Sequence, residues 1–460
     1  MSITTGDQPQ FRWSSRLSFV FAASGFAIGL GNIWRFPYMT GENGGAAFLL
    51  IYLVCAFGIG MPLIMAELML GRQGKRGIVG SLRAVAAQSR ASQRWSWIGA
   101  LALLATFAIL AYYVVIAGWT LDYVLRLAEG EFTGVEREGS TAVFASLMES
   151  PWRMLAWTLV TVAVTGLVVA RGIKGGIEKV TSIMMPVFFV GLILLSFYAL
   201  VFGDMASALE FLFVPDFSKI DSTVVAMAVG QAFFSVGVGF GTMVSFGSYL
   251  DEDVSIASTA GIIVAADTAV ALVAGLTIFP FVFQYGLEVT SGPGLVFETL
   301  PVAFGAIPAG QFVGVVFFAL LFIAAITSCV GLLEPLAKRA MNMFSVRLPT
   351  AAIVVSALIA VVSVGTVLSF NHWADFHPLN SIGVLADATI YVVQDYIAVN
   401  ILLPSAALLI ALFVGWVARK ETWEEQLATS GRFAALAFLP IMRYVVPLAI
   451  GSILVLSILS

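Results

Sequence analysis

Gly25-Phe26-Ala27-Ile28-Gly29-Leu30-Gly31-Asn32-Ile33-Trp34-Arg35-Phe36-Pro37 lies in the middle of the first long apolar run of the chain. A helix that crosses a membrane keeps its backbone hydrogen bonds to itself, because an unsatisfied N–H or C=O in hydrocarbon costs several kcal/mol. Three glycines, an asparagine, an arginine and a proline within thirteen residues do not suit such a helix. Irregular backbone at that depth is tolerated where it lines a buried or wet cavity, so the stretch predicts a binding site inside the membrane. Gly25-x-x-x-Gly29 alone also reads as a small-residue face for a neighbouring helix. Gly31-Asn32 prolongs the break beyond what such a face needs, and Arg35 needs a partner so near the apolar region.

The rest of the composition sets the class. Of 460 residues, 60% are hydrophobic and 11% charged, and the mean hydropathy is +0.99, which excludes a soluble domain and predicts an all-α polytopic membrane protein. A net charge of −4 carries no nucleic-acid signal. Cys55 and Cys329 lie inside apolar runs and there are two histidines, so neither a disulfide framework nor a structural metal site is expected. The short polar N-terminus has no small-residue cleavage motif after the first span, so no removable signal peptide is expected.

About 20 apolar residues in a helix cross a ~30 Å hydrocarbon core, and by that ruler eleven spans emerge. They cover 17–39, 46–71, 96–128, 152–170, 177–202, 223–249, 256–284, 310–340, 350–370, 383–417 and 436–459. Of the 23 lysines and arginines, 18 fall before span one, or in the loops after spans two, four, eight and ten and the span ends beside them. The positive-inside rule puts that side, with the N-terminus, in the cytoplasm, and the acidic loop 129–150 outside. Asp251-Glu252-Asp253 is then an acidic cytoplasmic loop, which the rule barely weighs.

A second interruption lies in span six, at Gly230-Gln231-Ala232-Phe233-Phe234-Ser235-Val236-Gly237-Val238-Gly239-Phe240-Gly241. Breaks in spans one and six are five spans apart. Paired broken helices at corresponding positions of two halves point to a midplane site in an inverted-repeat transporter. The expectation is therefore one transmembrane domain over 1–460, with helices one to five in 1–202, helices six to ten in 223–417, and helix eleven in 436–459 as an addition.

Gly-Leu-Gly-Asn-Ile-Trp-Arg-Phe-Pro at 29–37, Glu42-Asn43-Gly44-Gly45-Ala46, Pro62 to Glu67 with Gly71-Arg72, Gly230-Gln231 through Phe240, Ala266-Asp267-Thr268 and Thr327-Ser328 resemble the neurotransmitter:sodium symporters, in order and over nearly the whole chain. The bacterial amino-acid carriers of that family, with the LeuT-type fold, are the most similar in kind. The resemblance implies two sodium sites. The first would use the Ala27 carbonyl, Asn32, Ser235 and Asp267; the second, the carbonyls of Gly25, Ile28 and Ala324 with Thr327 and Ser328. Oxygen ligands suit a hard cation, and an unwound helix offers carbonyls. Thr327 and Ser328 also read as hydroxyls bonded back to their own helix, whereas a carboxylate inside a span, as at Asp267, is functional by default.

The resemblance also implies a substrate site between the breaks. The amides of Leu30 and Gly31, at the positive end of a half-helix, suit a carboxylate, and Tyr113 resembles the tyrosine that meets it. Ile109, Phe234, Phe240 and Leu332 would line the side-chain pocket, with Ala27, Gly29, Ser235, Gly237 and Ser328 in the same site. Gly29 stands where monoamine carriers have an aspartate, which implies an amino-acid substrate. Gly237 either leaves room for a large apolar group or serves backbone geometry. Arg35 and Asp395 resemble an outer ion pair with Phe240 as the ring beneath it, and Arg12 with Trp13 an inner latch. Asn342 falls about where an acidic partner for that latch is usual, so the closing pair on that side stays open. Glu67 and Glu334 read as network, proton-handling or structural acids. Tyr52, Gln231 and Ser235 fall where chloride-dependent relatives hold chloride, but Asp267 already supplies a fixed charge there, and Ala271 follows one turn on.

The implied function is sodium-coupled, chloride-independent import of a hydrophobic L-amino acid across the plasma membrane of a prokaryote, the inner membrane in a Gram-negative cell. A family member that senses amino acid, or conducts ions uncoupled, is the alternative. A membrane enzyme is disfavoured, as no nucleophile–base pair or metal cluster falls near the breaks.

Overall fold

The computed structural model describes residues 12–287, 292–382 and 385–459. Among them, nine helices are long and apolar enough to cross a membrane, and a bent pair brings the number to ten. That pair is span one, Arg16–Ala27 and Gly31–Glu42, which meet at 59°. Span two is Ala46–Gly74, span three Gln93–Ala128, span four Pro151–Ala170 and span five Ile173–Phe202. Span seven is Ile256–Gln284, span eight Gly310–Phe344, span nine Leu348–Leu368, span ten Ile390–Val417 and span eleven Ala434–Leu456. Span six is assembled from two short helices, Ser222–Ser235 and Thr242–Gly247, around a non-helical stretch.

Local chemistry explains the helix ends. Span one starts where the Ser15 hydroxyl accepts from the Ser18 amide, and Asp221 and Ser255 cap spans six and seven in the same way, each satisfying an amide that has no intrahelical partner. Pro151 opens span four at a position where its missing N–H costs nothing. The break in span six begins later than the sequence suggests, because Gly230 through Ser235 remain helical and only Val236 to Gly241 depart from it. Gly237, Gly239 and Gly241 there have φ of 70°, 86° and 78°, the left-handed region that side chains avoid. Span ten begins at Ile390 rather than 383, and 383–384 lie outside the described residues. Short helices in the loops, such as Ile78–Gln88 and Arg137–Met148, escaped the span ruler because they are too short to cross.

Span three packs along span eight through the middle of the bundle, span four along span nine, and span five along span seven. A buried ion cluster fixes spans three and four on the side away from the N-terminus. There Asp122 accepts from Arg126 Nε at 2.6 Å, Arg153 Nε at 2.5 Å and Trp157 Nε1 at 2.8 Å. Removing one partner of such a buried pair costs about 3–5 kcal/mol. With this frame rigid, the two breaks face each other across the centre: the Phe26 and Phe240 rings meet edge-on at 5.6 Å.

Candidate functional site

Four elements converge on one carboxylate. Asp267 of span seven is fully buried; Asn32 Nδ2 donates to its Oδ1 at 2.7 Å, and the hydroxyls of Ser235 and Tyr52 donate to its Oδ2 at 2.7 and 3.3 Å. Asn32 reaches Ser235 Oγ as well, at 3.1 Å, while its Oδ1 accepts the Gly29 amide at 2.9 Å. Hydrogen bonds to a charged group contribute about 1.5–3 kcal/mol each, so this carboxylate ties the first break to the second. Ala27 ends the first half-helix and lines the adjoining cavity. The set of Asn, Ser and Asp oxygens beside a carbonyl-rich helix end is chemistry for a hard cation.

The residues of the second expected ion site also meet. Ser328 Oγ lies 3.1 Å from the Phe26 carbonyl, 3.2 Å from that of Ile28 and 3.2 Å from that of Ala324. Thr327 Oγ1 lies 3.0 Å from the carbonyls of both Ile323 and Ala324. A Cβ on Gly25 would stand 3.3 Å from Thr327 Cβ. Thr327 therefore bonds within its own helix, whereas Ser328 bridges span eight to the first break. The Phe26 carbonyl was missed in the sequence, where nothing marks a phenylalanine backbone as an acceptor.

Of the twelve residues expected to meet substrate, all except Leu30 line one cavity between the breaks, joined by Phe26 and Asn32. The Leu30 amide donates to the Tyr113 hydroxyl at 3.1 Å, at that cavity's edge. A Cβ on Gly29 would lie 2.7 Å from Tyr113 Oη and 2.9 Å from Ser328 Oγ, so no larger residue fits without displacing them. Gly237 lines the cavity too, but its Cβ would lie 2.7 Å from the Phe26 ring and its φ is positive; backbone geometry is the first reason for glycine there. Glu67 serves the backbone of the second break, where its Oε1 accepts the Gly239 amide at 2.6 Å. Glu334 accepts from the Tyr249 hydroxyl at 3.3 Å. Of the residues expected near a chloride position, Tyr52 and Ser235 are engaged by Asp267, and the Gln231 amide is buried with no partner among the described residues.

Above the cavity, Arg35 and Asp395 line a wider vestibule, and they approach without an ion pair within 4 Å. The ring under the guanidinium is Phe234, at 5.3 Å, rather than Phe240; Phe240 turns toward Phe26 because the left-handed glycines on either side reorient that segment. On the N-terminal side, the Trp13 indole donates to the Phe246 carbonyl at 3.2 Å. Arg12 finds its acid at Asp251, 3.2 Å away, in the loop after span six rather than at position 342.

Fold and site together define a membrane carrier whose path runs between two interrupted helices. The model of the sodium:neurotransmitter symporter family matches residues 10–133 and 141–460, and the chain belongs to that family. A sodium-dependent transporter of Bacillus subtilis is 34% identical over 447 residues, spanning 96% of this chain and 97% of the relative. The crystal structure of MhsT in complex with L-phenylalanine matches with a TM-score of 0.87 and 37% identity, over 97% of this chain and 99% of that one. The sodium-dependent neutral amino acid transporter B(0)AT2 of Bos taurus is 31% identical over 272 residues, 52% of this chain and 36% of the relative. These are transporters, not enzymes, and the LeuT-type fold expected from the sequence is the fold observed.

Proposed function

We propose that this chain couples the inward flow of sodium, at two sites, to uptake of a hydrophobic L-amino acid, without chloride. The observation that carries the reading is the apolar cavity between the breaks, closed at one edge by Asn32 and Ser235 of the Asp267 cluster. The substrate carboxylate would lie toward Leu30, Gly31 and Tyr113, against the first sodium ion; its side chain would lie among Ile109, Phe234, Phe240 and Leu332. Lack of space at Gly29 supports a substrate that brings its own carboxylate, since an aspartate for a lone amine has no room there. The L-phenylalanine bound to MhsT supports the substrate class.

Sodium at Asn32, Ser235 and Asp267 would draw both breaks into one arrangement and so favour the state that binds substrate, a shift limited by the ion's differential affinity for the two states. Spans one, two, six and seven would then rock against the rest, following the repeat of 1–202 and 223–417 with 436–459 outside it. Arg35 and Asp395 would close one side, and Arg12 and Trp13 the other, which faces the cytoplasm of a prokaryotic cell.

Uptake into proteoliposomes tests the reading. Leucine, isoleucine, phenylalanine or tryptophan should accumulate against a gradient under inward sodium, while glycine, glutamate and biogenic amines compete poorly. Equal substrate affinity in potassium and sodium overturns the ion assignment, and binding without accumulation points to a sensor or an uncoupled conductor.

A further inference from the structure

At the N-terminal side of the membrane, a groove opens to the outside of the bundle between spans three and ten, lined by Arg94, Trp95, Trp97, Leu101, Leu104 and Leu409. It is remote from the substrate path. Trp97 and Leu104 are 74% and 55% exposed, and the Trp95 ring packs on Phe413 of span ten at 5.6 Å, which joins the two walls. From Arg94 to Leu104 is ten residues of helix, about 15 Å at 1.5 Å each. That is half of a ~30 Å hydrocarbon core, the depth of one leaflet. The groove is polar at one end only, and that end carries a cation and two tryptophans, the residue that gathers at headgroup level.

The charge around that end is one-sided. Residues 72–96 contain six basic side chains and no acidic one. Arg72 and Lys75 are occupied, Arg72 by Gln426 and the Val254 carbonyl and Lys75 by Glu252. Arg83, Arg90 and Arg94 are exposed, and among the described residues none forms an ion pair. Glu421 and Glu425 sit with Arg419 in a separate recess beside Gln73 and Gln88.

We propose that this groove holds one anionic phospholipid of the adjoining leaflet, its phosphate on the Arg94 guanidinium and one acyl chain along Trp97, Leu101 and Leu104. A guanidinium matches two phosphate oxygens at once, and a chain of leaflet length fills the apolar remainder. Neither a free anion nor a neutral lipid satisfies both ends.

Native mass spectrometry of the purified transporter, exchanged with equal phosphatidylglycerol and phosphatidylcholine of identical chains, tests this. The wild type should retain one phosphatidylglycerol about five-fold over phosphatidylcholine, the size expected of one well-placed arginine near anionic lipid. Arg94→Gln should bind the two lipids equally. Ala100→Phe, which fills the groove, should lose both, and millimolar inorganic phosphate should displace neither. Equal retention by the wild type, an undiminished preference in Arg94→Gln, retention by Ala100→Phe, or displacement by phosphate alone would each overturn the proposal.

Discussion

Gly29 in the first break and Gly241 in the second do different jobs, although both sit in glycine runs inside apolar segments. In span one, Gly25, Gly29 and Gly31 keep negative φ. What they supply is room: a Cβ would lie 2.9 Å from Met185 Sδ at Gly25, 2.7 Å from Tyr113 Oη at Gly29, and 3.3 Å from the Phe234 ring at Gly31. In span six, Gly237, Gly239 and Gly241 supply torsion, and a side chain in that region costs roughly 1–2 kcal/mol whatever space is available. A run of glycines thus announces a break without saying which of the two it provides. Substitutions can tell them apart.

The largest effect is expected at the residue that joins the breaks. Asp267→Asn removes the charge shared by Asn32, Ser235 and Tyr52, and losing two charge-assisted hydrogen bonds should weaken sodium by at least about 100-fold. Sodium titration of substrate binding checks it. Native uptake should be equal in gluconate and chloride media, because a second anion beside a buried carboxylate is repelled. The double variant with Ala271→Ser should gain chloride dependence. Native uptake that collapses in gluconate would show that Asp267 is not the fixed countercharge.

Next come the glycines. Overpacking a fitted site costs about 1–3 kcal/mol, so Gly29→Ala should raise KM for every substrate about ten-fold with little change in Tm. Gly241→Ala, with φ of 78° and Ile78 2.7 Å from its Cβ, should instead lower Tm by about 1–2 °C. Gly237→Ala should penalise large and small substrates equally; a loss confined to aromatic substrates would move that glycine into the group that supplies room. Should Gly29→Ala destabilise and Gly241→Ala merely weaken binding, the distinction between the breaks fails.

The smallest effect belongs to the Arg12–Asp251 pair, whose side chains are 58% and 40% exposed. Exposed pairs contribute about 0–1 kcal/mol. Asp251→Asn should therefore raise hydrogen exchange of the first turns of span one by no more than about five-fold. A larger rise would make the pair, rather than Trp13, the main closure.

Much of this was legible in the sequence because it is local. Asn32 and Asp267 are polar groups too costly for an apolar span unless used, and glycine runs disrupt the helices that contain them. What escaped notice depends on distant packing. Asp251 meets Arg12 across more than half of the chain, and no residue pattern near either one specifies the other. Gly230 resembles the start of a break, yet nothing lies within 4 Å of its missing Cβ; the helix simply continues past it. That Phe234 rather than Phe240 lies under Arg35 depends on left-handed torsions between them, which side-chain spacing does not encode.

Trp13 is held by more than its hydrogen bond: Phe19 and Phe246 meet its ring edge-on at 5.5 and 5.4 Å. While the indole is housed there, the residue after Arg12 is buried, and a trypsin cleft cannot seat the bond between them. Nicking at that bond therefore records the intervals in which this bolt is withdrawn, and when reclosing is fast its rate follows the fraction of carriers unbolted. The sequence thus supplies its own stopwatch for opening on the N-terminal side, readable by intact mass without labelling the protein.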